Sequence, residues 1–335
     1  MRKAPVVLIA SVTLVISGCG SADSTAPPPA PMSTPASAAA TPAESPAASA
    51  VNVVATTTML GDVVGQILAC AGGTVTVLMP AGTDPHDFSA SSDQVAAMVT
   101  ADLVVANGLG LEAGLTDAFE NAAADGAKVF EVGPLVDPIK LGAGAHEEEG
   151  HEEEGHGHGS SDPHFWFDMN RMAVAAELIG AELADSTGNN AYATCAATTA
   201  ANIRTAEAGV RSSLESVPAD QRILVTDHEA LGYLADTYGY EIAGTVIPSG
   251  TTLAEPSSAD LAALVATIKA EGVPAIFANV AQTTSLAEAV AAETGTPITI
   301  IPLYVESLGA PDSPAATYLQ MMQANADLIA SGLKG

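Results

Sequence analysis

From Val51 onward, short apolar runs suited to extended chain alternate with stretches whose apolar residues recur at helical spacing. No other feature limits the fold as much. Residues 51–56 read as a strand, and Leu60, Val63, Val64, Ile67 and Leu68 then form one helical stripe. Residues 75–79 are the next strand, 91–99 a helix capped by Ser91 or Ser92, and 103–106 and 129–132 further strands. The same order resumes with strands at 222–226, 242–247, 275–278 and 298–303, and helices at 229–238, 260–270, 285–293 and 315–333. Such alternation predicts parallel sheets covered on both faces, an α/β fold. Between the two sets, residues 169 to 214 contain almost nothing that breaks a helix except at 186–190. That far exceeds the usual length of about 11–12 residues. It reads as a backbone helix linking two lobes, with a break near Gly188.

The first fifty residues obey other rules. Arg2 and Lys3 precede an apolar stretch at 6–16, too short for a membrane span and suited to a secretion signal. It closes as Ile16-Ser17-Gly18-Cys19, which resembles the bacterial lipoprotein signal, where cleavage leaves the cysteine as a lipidated N-terminus. An ordinary export signal with Cys19 incidental is the alternative. Residues 20–50 are mainly Pro, Ala, Ser and Thr and cannot bury enough surface to offset their ordering entropy, so they read as a disordered tether. The expected organisation is a signal at 1–19, the tether at 20–50, a first lobe at 51–168, a linking helix at 169–217 and a second lobe at 218–335. An exported chain meets oxidising conditions, so Cys70 and Cys195 form either a disulfide or two buried thiols. The chain is 48% hydrophobic, enough for two buried cores. A formal charge of −29 excludes nucleic acid as a partner and favours cations.

The histidines carry the chemistry. Four of the seven, His146, His151, His156 and His158, are interleaved with six glutamates at 146–158. That run is either an auxiliary, weak metal-collecting loop or a solvated charged linker. The other three are His86, His164 and His228. Two of them close the same tripeptide, Asp84-Pro85-His86 and Asp162-Pro163-His164, in which proline presets its own φ and extends the residue before it. His86, His228 and Glu306 follow predicted strands, where open α/β sheets place their ligands, and His164 sits at the junction before the long helix. Each alone reads as a satisfied structural polar residue. Together, two from each half, they predict a site in the cleft between lobes, where three imidazoles and one carboxylate make a closed tetrahedral zinc shell.

Two weaker patterns fail. Gly108-Leu109-Gly110 lacks the rest of a dinucleotide fingerprint, and the helix beginning His228-Glu229 has Gly232 where a metalloprotease needs its second histidine.

Here the chain resembles the zinc-specific solute-binding lipoproteins of ATP-binding-cassette importers, relatives of manganese-binding lipoproteins. The resemblance runs from Val51 to the C-terminus. It rests on residues 80–88 around His86, 107–112 (Asn-Gly-Leu-Gly-Leu-Glu), the Glu/His run, Asp162-Pro163-His164-Phe165-Trp166, Asp227-His228 and residues 302–309 around Glu306. It implies two (β/α)4-type lobes joined by one long rigid helix, with His86, His164 and His228 as metal ligands and Zn2+ as cargo. It also implies delivery to an ABC permease by a monomer anchored through Cys19 on the extracytoplasmic face of the cell membrane. Manganese members tend to carry glutamate where His228 stands, which favours zinc. Two positions depart from the family: Ala278-Asn279 stands where an acidic residue is common, and Glu306 where aspartate is usual. Three arrangements stay open for Glu306: one oxygen on the metal, both oxygens, or water in its place. The competing functions are a receptor for manganese or another divalent metal, a zinc hydrolase using Asp227 or Glu229 as base, and a metal-buffering adhesin.

Overall fold

A computed structural model describes residues 50–142 and 161–334. The signal with Cys19, the tether up to residue 49 and the run holding His146, His151, His156 and His158 lie outside the described residues.

The first lobe is built from β1 (Asn52–Ala55), α1 (Thr58–Ala71), β2 (Thr74–Val77), α2 (Ser92–Thr100), β3 (Leu103–Ala106), α3 (Thr116–Ala124) and β4 (Val129–Glu131). Its four strands are all parallel, in the order β2-β1-β3-β4. The second lobe holds β5 (Ile223–Thr226), β6 (Glu241–Thr245), β7 (Ala275–Asn279) and β8 (Thr299–Leu303), with the equivalent parallel order β6-β5-β7-β8. Parallel neighbours require crossovers, and after α4 (Met169–Thr187) and α5 (Ala191–Glu215), α6 (Gly232–Tyr238), α7 (Ser258–Glu271) and α8 (Ser285–Thr294) supply them, with α9 (Tyr318–Lys334) closing the chain. Local chemistry sets several starts. Ser91 and Gln94 form a reciprocal capping box at α2, as do Ser257 and Asp260 at α7. The helix expected from residue 229 begins only at Gly232, because His228 O accepts from Ala230 N (2.9 Å) and Thr226 Oγ1 (2.8 Å) instead of from a helical turn.

The break expected near Gly188 is present, and it reverses the chain. Gly188 adopts φ +69°, a left-handed cap that ends α4 (Met169–Thr187) before α5 (Ala191–Glu215) starts. The two helices pack side by side: a Cβ on Gly180 would lie 2.1 Å from Ala196 Cβ, so only glycine permits this approach. The single linking helix expected over 169–217 is thus a hairpin, and its second arm makes the link. α5 has 25 residues, about 37 Å of helix. Near its start Tyr192 Oη donates to Gly72 O (2.8 Å) just beyond α1, and Cys195 is disulfide-bonded to Cys70 of α1. Near its end Ser213 Oγ donates to Asp327 of α9 (2.7 Å).

Two separate cores were expected, but the lobes share one. A continuous apolar cluster runs from Val53, Leu60 and Ile67 through Phe165, Trp166, Ile179 and Ile203 to Tyr233, Leu303, Met321 and Ile329. Smaller clusters line the outer faces, one around Val54, Leu78, Met98 and Val104 and one around Val225, Leu264, Ile268 and Ile276. Strand alternation explains the partition: Val53 and Leu224 face the shared core, and their neighbours Val54 and Val225 face the outer layers.

Candidate metal centre

The carboxyl ends of the strands converge on one point between the lobes. His86 lies on the loop after β2, His228 two residues after β5 and Glu306 three residues after β8. His164 precedes the short 3-10 turn Phe165–Phe167 that leads into α4. All four are buried, with at most 4% of their surface exposed. One ligand atom from each lies within 4.8 Å of all the others. Glu306 Oε1 is 2.8 Å from His86 Nε2, 3.3 Å from His228 Nε2 and 4.0 Å from His164 Nε2. Donors held about 2.0–2.1 Å from a tetrahedral ion stand ~3.3–3.4 Å apart, so these spacings bracket such an edge. Despite that proximity, none of the four atoms makes a hydrogen bond. Buried polar groups without partners are rare, and four aimed at one point are what a dehydrated cation requires.

Carboxylates set the rings. In both Asp-Pro-His tripeptides the aspartate accepts the backbone N–H of the histidine two residues on, Asp84 from His86 and Asp162 from His164, each at 2.9 Å. These Asx turns pin the loops more directly than proline stiffness alone. Asp162 also accepts from His164 Nδ1 (2.8 Å), and Asp227 from His228 Nδ1 (3.1 Å). With Nδ1 held by a carboxylate, Nε2 of each ring is aimed inward, as in a metal-ligating histidine. Asp227, one of the bases considered for a hydrolase, is therefore occupied in orienting a ring.

Contacts across the cleft hold the loops in register. The Trp166 indole donates to Val305 O (2.9 Å), next to Glu306, and stacks edge-on with His164 at 5.3 Å. Tyr233 of α6 donates to Asp162 O (2.9 Å). Asp84, on the first-lobe loop, accepts from Thr252 (2.6 Å) and from Gln282, both in the second lobe, and Gly82 N donates to Ser307 Oγ (2.7 Å). Asn279, at the end of β7, donates to Glu306 Oε2. Sequence reasoning took Asp84 and Asp162 only as parts of a motif and assigned Asn279 no role. The recurrent aspartate one or two residues before each histidine was the available signal; for Asn279 it was the departure from the family at Ala278-Asn279, which did not reveal a partner 27 residues away.

The electrostatics are uneven. Burial lowers the pKa of His164 in spite of Asp162, so this ring is neutral and ready to coordinate. For His228 burial acts the same way, but Asp227 and Glu306 together outweigh it and raise the pKa well above the ordinary value. Burial would raise Glu306, yet the His228 and His86 rings beside it hold it far below the usual carboxylate range. Proton and metal therefore compete for the same His228 nitrogen and Glu306 oxygen.

Comparison with known proteins identifies the family and its fold. Residues 53–332 match the family described as ZnuA, zinc-uptake complex component A, periplasmic. Over 328 residues the chain is 26% identical to the manganese-binding lipoprotein MntA of Halalkalibacterium halodurans, covering 97% of each. The fold superposes on the periplasmic zinc binding protein TroA from Treponema pallidum with a TM-score of 0.73 at 27% identity, over 85% of this chain and 99% of that one. A Mn-bound periplasmic metal binding protein from Candidatus Liberibacter asiaticus gives 0.70 at 25% identity, over 84% and 99%.

Proposed function

We propose that this chain, which belongs to the ZnuA family of periplasmic zinc-uptake components, captures one Zn2+ with His86, His164, His228 and Glu306. It is a metal-binding receptor of ABC importers, not an enzyme. It passes the ion to the permease of a zinc importer and is tethered at the extracytoplasmic face through Cys19. The observation that carries the zinc reading is the donor set: three buried imidazole Nε2 atoms and one carboxylate oxygen, all without hydrogen-bond partners, around one point. Three nitrogens and one oxygen suit tetrahedral zinc, whereas manganese prefers more oxygens in an octahedron. A manganese receptor is the second reading, favoured by the likeness to a protein named for manganese binding.

Competitive titration with Zn2+ and Mn2+ separates the two. We expect stoichiometric zinc binding that is tighter than manganese binding and is lost in His228→Ala. Unchanged zinc affinity in that variant rejects the ligand set, and tighter manganese binding by the intact chain rejects the zinc reading.

A further inference from the structure

We infer that Asn279 is a specificity-determining positioning residue that restricts Glu306 to a single metal-binding oxygen; the inference rests on the ligand set proposed above.

The two oxygens of Glu306 have different surroundings. Oε1 faces the three imidazoles and makes no hydrogen bond. Oε2 accepts the Asn279 side-chain N–H. The orientation of that amide is settled by its other end, because Asn279 Oδ1 accepts the backbone N–H of Ala281 (3.0 Å). The nitrogen, and not the oxygen, must therefore face Glu306.

The donor is also held rigidly. Asn279 is only 1% exposed and ends β7 in register with Leu303 of β8. On either side of its amide, Val280 N donates to Leu303 O (2.9 Å) and Gln282 N to Asn279 O (3.1 Å). For Glu306 to grip a metal with both oxygens, Oε2 would have to leave this amide and strand a buried N–H without a partner. The residue at 279 thus keeps the shell at three nitrogens and one oxygen, the coordination number zinc accepts and larger oxygen-seeking ions do not. Of the three arrangements left open by the sequence for Glu306, this selects the first.

The test uses the full chain, with Co2+ absorption reporting coordination number and Zn2+/Mn2+ competition reporting preference. The intact protein should give the intense visible bands of four-coordinate Co2+. Asn279→Ala should still bind one equivalent of metal, lose that intensity as Oε2 joins the shell, and lower the zinc-over-manganese ratio on the order of 10–100-fold. If the alanine variant does not fold, Asn279→Asp, of nearly the same shape but with no N–H to give, should shift both readouts the same way. Identical spectra and ratios in variant and parent overturn the inference. So does a weak, six-coordinate spectrum of the parent, or complete loss of metal from a folded Asn279→Ala protein, since that change leaves every ligand atom in place. His164→Ala separates this from failure of the underlying reading. If that variant keeps full affinity, the four-residue site itself is wrong. If it loses affinity while Asn279→Ala matches the parent, only the role of Asn279 falls.

Discussion

Replacing Cys70 and Cys195 together by alanine should lower stability substantially without touching the metal centre. The bond joins α1 to α5 with Cα atoms 5.9 Å apart and closes a loop of 125 residues. In the chain-entropy treatment, opening a loop of 125 residues costs about 4.9 kcal/mol at 25 °C through the greater freedom of the unfolded chain. Counted over the described residues 50–142 and 161–334, at ~2.1 cal/mol/K of unfolding entropy per residue, that loss lowers Tm by about 9 °C. The effect on the site should be small. Thr58, at the start of α1, accepts a hydrogen bond from Leu308 N near Glu306 (2.8 Å). Cys70 is twelve residues further along the helix, about 18 Å away. Calorimetric melting must use metal-free protein, because bound metal adds its own stabilisation. A Tm within about 2 °C of the parent would refute the loop-closure reasoning. Intact folding with lost zinc stoichiometry would refute the separation of cross-link and site.

Three further outcomes are expected. A metal can take the His228 nitrogen only without its proton, and Asp227 and Glu306 raise the pKa of that ring, so affinity should fall as pH falls, about tenfold per pH unit for each proton displaced. Titration calorimetry in buffers of different ionisation enthalpy counts those protons, and a flat affinity from pH 7 to 5 would exclude an imidazole site. Asp84→Ala removes the acceptor shared by His86 N, Thr252 and Gln282, which frees the His86 loop while leaving all four proposed ligands in place. Zinc release to a chelator, followed by stopped flow, should be faster by about tenfold or more, and an unchanged rate would show that the loop is held by other contacts. Deleting residues 146–158 should leave the stoichiometric step in calorimetry intact and remove a weaker phase. Loss of the tight step would move the primary site into the Glu/His run.

Much of this protein could be read from short stretches of chain, because the forces that set those features act locally. Apolar periodicity located the four-strand sets of both lobes, Ser91 announced a helix start, and Gly188 marked a break because its left-handed conformation suits glycine. The candidates His86, His228 and Glu306 were found by their position after strands, a rule of α/β topology that needs no distances, and His164 by the Asp-Pro-His tripeptide it shares with His86. What the chain does over long separations was not legible. That α5 folds back along α4 depends on the missing side chain of Gly180 meeting Ala196. The merging of two expected cores into one depends on which face of each sheet meets that hairpin. Cys70 and Cys195, 125 residues apart, could be paired or free until α1 and α5 were brought together. The role of Asn279 became visible only beside Glu306, and that of Asp84 across the cleft only beside Thr252 and Gln282. Periodicity and turn chemistry specify each element within a few residues of itself. The metal centre, by contrast, is an arrangement of loops from opposite halves of the chain, and only packing brings them within hydrogen-bonding reach.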